Sequence, residues 1–144
     1  MSIALIGAGR AGMIHARNLR ASVPHAALTA IVDPVEASAD AACRELEINT
    51  RYTDYHRVLE DDSIDAVIVV TPTKYHCEIV VEAARAGKHI LCEKPMAMTV
   101  EECKAMEQEV TRNHVKLQMA FMRRFDQNFV EAPFGGEYRA GHRA

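Results

Sequence analysis

The 144-residue sequence has no apolar tract long enough to cross a bilayer, which removes a membrane-spanning role from consideration. It also has no surplus of either charge. Seventeen Lys and Arg stand against 20 Asp and Glu, interleaved along the chain, for a net charge of -3. A broad positive surface for phosphate backbones is therefore not expected, and nucleic acid is excluded as a partner. Cysteine is sparse. Cys43, Cys77, Cys92 and Cys103 form no C-x-x-C pair and have no histidine at ligand spacing, so neither a disulfide framework nor a metal site is indicated. They read as reduced and structural. The first residues contain no basic stretch followed by an apolar run and a small-residue cleavage site, so the expected compartment is the cytoplasm. Internal repeats and low-complexity linkers are missing up to Pro133.

What is present is the composition of one globular domain, with 49% hydrophobic and 26% charged residues in a chain long enough to bury a core. Short runs rich in Val and Ile alternate with segments of helical period, the signature of a parallel sheet with crossover helices. The pattern predicts six strands, at Ile3–Ile6, Leu28–Val32, Arg51–Thr53, Ala66–Val70, His89–Cys92 and Val115–Ala120. Helices are expected at Arg10–Arg20, at Val35–Leu46 behind Pro34, around Tyr55–Glu60, over Tyr75–Ala86, and from Thr99 onward. Gly87 gives the fourth helix a stop, with Lys88 beside the negative end of its dipole. Thr99 and Glu102 have capping-box spacing. The fold class expected is α/β, a doubly wound Rossmann sheet with helices on both faces.

The first strand runs directly into Gly7-Ala8-Gly9-Arg10-Ala11-Gly12 and then into a helix, the context required of the G-x-G-x-x-G dinucleotide fingerprint. Gly7 allows a tight turn, Gly9 leaves no side chain between backbone and pyrophosphate, and Gly12 lets the helix pack against the sheet. Amides around Arg10 and Ala11 would then meet phosphate at the positive end of the helix dipole. Asp33 ends the second strand 21 residues after Gly12, where a carboxylate grips the adenosine ribose hydroxyls. A carboxylate there accepts from a diol and repels a 2′-phosphate, so NAD is favoured over NADP. The other reading of Asp33 is a cap for the helix behind Pro34. S-adenosylmethionine methyltransferases share a glycine loop and this acidic residue. The later strand ends, Thr71-Pro72-Thr73-Lys74-Tyr75-His76 and Cys92-Glu93-Lys94-Pro95, argue against that class.

Those two segments, with Ala86-Gly87-Lys88-His89 and Phe121-Met122-Arg123-Arg124-Phe125-Asp126, make the chain resemble the Gfo/Idh/MocA oxidoreductases, the glucose-fructose oxidoreductase and inositol dehydrogenase family. The resemblance covers about 125 residues, and the stretch from Lys116 to the paired arginines is most similar to the inositol 2-dehydrogenase branch. It implies that Thr71, Pro72 and Thr73 line the cofactor, that His76 lies near it, and that Glu93, Lys94 and Pro95 sit at the nicotinamide end. Lys94 is the implied catalytic residue, a cation beside the reacting hydroxyl that stabilises alkoxide character as hydride leaves. For His76 the alternative is satisfaction of local backbone groups, and for Arg123 a solvated rim instead of a cofactor contact. Glu93 has the alternative task of holding the Lys94 turn.

Departures from the family are Ala120 in place of a glycine, Gln127 in place of a proline, and the polar, glycine-bearing stretch 133–144 in place of a long helix. The expected organisation is a dinucleotide-binding domain over 1–120 and the truncated start of an interdomain region, with a frayed tail, over 121–144. A polyol or sugar substrate is expected only where a second domain is supplied. The alternative is a non-catalytic dinucleotide-binding module working through a partner chain. An uncovered apolar face around Phe121 to Phe129 predicts self-association.

Overall fold

In the computed structural model, residues 1–121 are described, and they form a six-stranded, wholly parallel sheet in the order β3-β2-β1-β4-β5-β6. The strands are β1 (Ser2–Ile6), β2 (Ala27–Val32), β3 (Thr50–Tyr52), β4 (Ala66–Val69), β5 (His89–Cys92) and β6 (Leu117–Met119). The helices are α1 (Arg10–Ser22), α2 (Glu36–Leu46), α3 (His56–Leu59), α4 (His76–Arg85) and α5 (Val100–Arg112), with one 3-10 turn at Thr73–Tyr75. This is the expected Rossmann arrangement. The chain winds outward from β1 to β3, returns to place β4 on the other side of β1, and so opens a crevice at the carboxyl ends of β1 and β4.

Side chains of successive strand residues point to opposite faces, and the sheet has a core on each. Ile3, Leu5 and Ile31 meet Met13, Leu19 and Leu46 of α1 and α2 on one side. Ala4, Ile6, Val67 and Val69 meet Val58, Ile79, Val80 and Met106 of α3, α4 and α5 on the other. Covered on both faces, β4 is buried at every position, which is why it reads as an unbroken Ala-Val-Ile-Val run with no alternation. Among the described residues no helix is long and apolar enough to cross a membrane.

Several boundaries differ from the sequence pattern. β6 covers Leu117–Met119 instead of Val115–Ala120, because the chain is still closing α5: His114 takes φ 55° and the Val115 N–H returns to the Val110 carbonyl. α4 begins at His76, since Thr73–Tyr75 forms the 3-10 turn ahead of it. α2 starts at Glu36 with Val35 as its N-cap. Gly87 does close α4, at φ 73°, with its own N–H on Ala84 and that of Lys88 on Ala83, the pair of bonds of a Schellman motif. The Thr99 and Glu102 capping box also forms.

Lys88 does more than sit beside the α4 dipole. Only 4% exposed, its ammonium donates to the carbonyls of Asp61 at 2.7 Å and Ile64 at 2.9 Å, tying the loop before β4 to the start of β5. Lys88→Met keeps the stem and takes this donor from both carbonyls, of which that of Asp61 still accepts the Ile64 N–H at 3.1 Å. We expect it to cost about 2 kcal/mol, read as a lowered urea midpoint at constant slope; an unchanged midpoint would mean that water serves those carbonyls equally well.

Candidate functional site

The carboxyl edge of β1, β2, β4 and β5 gathers the residues that the sequence singled out. Gly7, first after β1, has φ 103°, and a Cβ there would lie 2.4 Å from the Val70 carbonyl oxygen and 3.3 Å from the Thr71 nitrogen. The glycine loop therefore abuts the end of β4 backbone to backbone. Gly12 is tighter still, its Cβ position falling 1.9 Å from the Gly7 carbonyl oxygen. Gly9 is the N-cap of α1 in an extended conformation, φ -68° and ψ -178°, and nothing lies within 4 Å of its Cβ position. Two glycines are required by packing and the third keeps space open.

The first bond of α1 is Met13 N–H to the Gly9 carbonyl at 2.9 Å, so the amides of Arg10, Ala11 and Gly12 have no helical acceptor. No acidic side chain occupies that first turn, and Arg10 and Ala11 are exposed. These N–H groups, at the positive end of the α1 dipole, are a ready site for an anion.

Asp33, half-buried after β2, accepts from the Ala8 N–H at 2.8 Å through Oδ2 and from the Val35 N–H at 2.9 Å through Oδ1. Its carboxylate fixes the glycine loop and the turn into α2. A carboxylate offers about four acceptor positions, so two remain for a diol.

The turn after β4 holds a buried Thr71 hydroxyl with no partner among the described residues. An orphaned hydroxyl of this kind costs stability unless something fills its hydrogen bond. Pro72 is exposed and Thr73 half-buried beside it. His76 faces inward: it is 0% exposed, with Nδ1 2.9 Å from the Pro95 carbonyl oxygen and Nε2 2.9 Å from that of Thr71. A ring carrying one N–H donates to one of these carbonyls, and the doubly protonated ring donates to both. His76 thus joins the turns after β4 and β5, and its nitrogens are occupied by backbone.

After β5, the Glu93 N–H bonds to the Val69 carbonyl at 3.0 Å, and Glu93 Oε2 accepts from the Lys94 N–H at 2.8 Å. Lys94 is exposed, has no ion-pair partner among the described residues, and is followed by a cis bond to Pro95. The other Glu93 oxygen lies 2.9 Å from Nε2 of His15 on α1. The sequence reading did not single out His15. Its signal was position: it stands one helical turn after Ala11, whose amide is among those left free. Arg123 lies outside the described residues, as does all of the stretch Phe121 to Phe129 except Phe121, which is exposed.

Cys92, just ahead of Glu93, is inert by its surroundings. Burial, then the neighbouring Glu93 carboxylate, pushes its thiol up to about 12. Iodoacetamide at mildly alkaline pH should leave Cys92 unmodified in the native chain and alkylate it once urea unfolds the protein, as peptide mass spectrometry would read. Ready native alkylation would contradict this burial.

Taken together, the free amides, the open space at Gly9, the unfilled Thr71 hydroxyl and the spare acceptor positions of Asp33 fit an anionic dinucleotide. Residues 1–121 match the model of an oxidoreductase family with an NAD-binding Rossmann fold, which sets aside the methyltransferase alternative. The scyllo-inositol 2-dehydrogenase (NAD(+)) of Bacillus subtilis is 45% identical over 129 residues, 90% of this chain and 38% of that protein. The myo-inositol 2-dehydrogenase of Thermotoga maritima is 40% identical over the same shares. Among solved structures, the scyllo-inositol dehydrogenase of Lactobacillus casei with bound NAD(H) and scyllo-inositol superposes with a TM-score of 0.87 at 33% identity, covering 96% of this chain and 41% of that one. The chain spans 38% of the length of the two curated relatives it matches here.

Proposed function

The chain belongs to the Gfo/Idh/MocA oxidoreductase family, matched over residues 1–121, and from that premise we propose that residues 1–120 are the cofactor domain of an NAD-dependent polyol dehydrogenase acting on an inositol-like substrate. The observation that carries this reading is the start of α1, where three amides without helical acceptors lie beside a Gly9 that leaves its side-chain space empty. Diphosphate charge is favoured there by N–H donors and dipole together. Asp33, with acceptor positions left over from Ala8 and Val35, supports a ribose diol and disfavours a 2′-phosphate. The buried Thr71 hydroxyl, in the turn after β4 and without a partner among the described residues, adds an unfilled polar group near the same edge.

When bound, the nicotinamide supplies an acceptor for the hydride of a secondary alcohol. Lys94 is the catalytic residue in this proposal. Its exposed ammonium, on a turn fixed at both ends, stabilises the oxygen as it gains alkoxide character. Pro72, Thr73, Glu93 and Pro95 frame the two turns, and Arg123 completes the set of cofactor-side residues. Inositol as substrate class is supported by the names of the relatives. The cytoplasm is supported by four thiols that stay free.

Calorimetric titration of the chain with NAD and with NADP tests the reading. NAD should bind at least tenfold more tightly; equal or reversed affinities would remove the Asp33 argument, and no binding of either would remove the proposal. Turnover of scyllo- or myo-inositol with NAD, followed by absorbance of the reduced nicotinamide, separates the dehydrogenase from a non-catalytic module. Binding without turnover would favour the module.

A further inference from the structure

We propose that His15 is a positioning residue for Lys94, acting through the Glu93 carboxylate, so that the helix which receives phosphate also sets the place of the proposed catalytic lysine. The role given to Lys94 rests on the function proposed above; the positioning itself does not.

The chain of contacts is continuous. His15 Nε2 lies 2.9 Å from Glu93 Oε1, and Glu93 Oε2 accepts the Lys94 N–H at 2.8 Å. The two side chains are 14% and 12% exposed, so water has little access with which to replace either partner. A carboxylate that far from solvent and lacking His15 would keep one backbone donor and lose the one side-chain partner it has among the described residues, and it would swing outward to find water. Lys94 N–H would follow it or lose its acceptor.

Geometry gives the contact a meaning beyond packing. His15 stands four residues after Ala11, and helical side chains lean toward the N-terminus, so the ring lies over the turn whose amides are free. The other end of the segment is anchored separately, by His76 on the Pro95 carbonyl at 2.9 Å. Of the two histidine ties described on the Lys94 turn, His76 refers it to the end of β4 and His15 refers it to α1. Only the second links it to the phosphate-binding helix. One rigid element thereby indexes both the diphosphate bridge of a bound dinucleotide and the lysine at its nicotinamide end, the kind of preorganisation that keeps a reacting group within the narrow tolerance hydride transfer needs.

The test uses isotope-labelled chain without cofactor, so that its result is independent of whether NAD binds or inositol is turned over. The probe is the Lys94 amide, by its proton chemical shift and its rate of exchange with solvent. His15→Ala should displace the shift and speed exchange about tenfold, while His15→Gln, whose amide nitrogen reaches about as far as Nε2, should return both toward the parent values. A Lys94 signal unmoved by His15→Ala would overturn the proposal. So would displacement that glutamine fails to rescue, since that would mark a loss of ring packing and not of a donor. Should His15→Ala fail to fold, the glutamine variant decides alone: a parental Lys94 signal supports the relay, and a displaced one refutes it.

Discussion

Gly9→Val should cut NAD affinity about a hundredfold while leaving the fold in place. The backbone at Gly9, φ -68° and ψ -178°, is extended and open to any residue, and no atom lies within 4 Å of its Cβ position. Valine is therefore accommodated by the free protein. It is a poorer N-cap than glycine, at a cost of about 1 kcal/mol or less and a fall of a few degrees in melting temperature. Its methyl groups would stand where phosphate oxygens approach the amides of Arg10 and Ala11. Losing two hydrogen bonds to a charged group, at about 1.5 kcal/mol each, amounts to about a hundredfold in Kd. Calorimetric titration and a thermal melt on the same sample check both halves. Parental affinity in a folded Gly9→Val chain would falsify the phosphate assignment.

The glycine loop, the strand-end turns and the parallel sheet were legible because each is written in local pattern. Val-Ile runs bounded by turns mark buried strands, and Gly87 and the Thr99-Glu102 pair punctuate helices by chemistry confined to a few residues. The weaker edges misled: β6 looked longer because Val115 is apolar, although its N–H still belongs to the closing of α5. What sequence could not supply was pairing at a distance. His15 and Glu93 are 78 residues apart, and nothing periodic in either segment announces that they meet.

Two residues were legible in identity and incomplete in role. Asp33 stands where a ribose-binding carboxylate belongs, yet both its oxygens already hold backbone amides, so it shapes the glycine loop before any ligand arrives. His76 stands at the cofactor-side turn, yet its ring is spent on two carbonyls. In each case a motif letter conserves space for chemistry by first fixing backbone, a distinction that depends on where side-chain atoms point and not on spacing.

Gly12→Ala should show the opposite profile to Gly9→Val, a large loss of stability from the smallest possible side chain. The added methyl would fall 1.9 Å from the Gly7 carbonyl oxygen and 3.0 Å from its carbon, both backbone atoms with no rotamer to yield. Gly7 is itself immobilised, its N–H on the Val32 carbonyl at 2.8 Å and its Cα face against Val70. Relief therefore requires α1 to move away from the sheet, opening the core that Met13, Ala16 and Leu19 form with Leu5 and Ile31. Alanine's better helix propensity returns at most about 1 kcal/mol. Overpacking against fixed backbone costs about 3 kcal/mol or more, for a net loss near 2 to 3 kcal/mol, or about 10 °C in melting temperature for a domain of this size. Differential scanning calorimetry reads the shift directly. A Gly12→Ala chain that melts with the parent would mean that α1 does not pack on β1 as closely as this loop implies, and the amides at its start would then lose the fixed position on which anion binding depends.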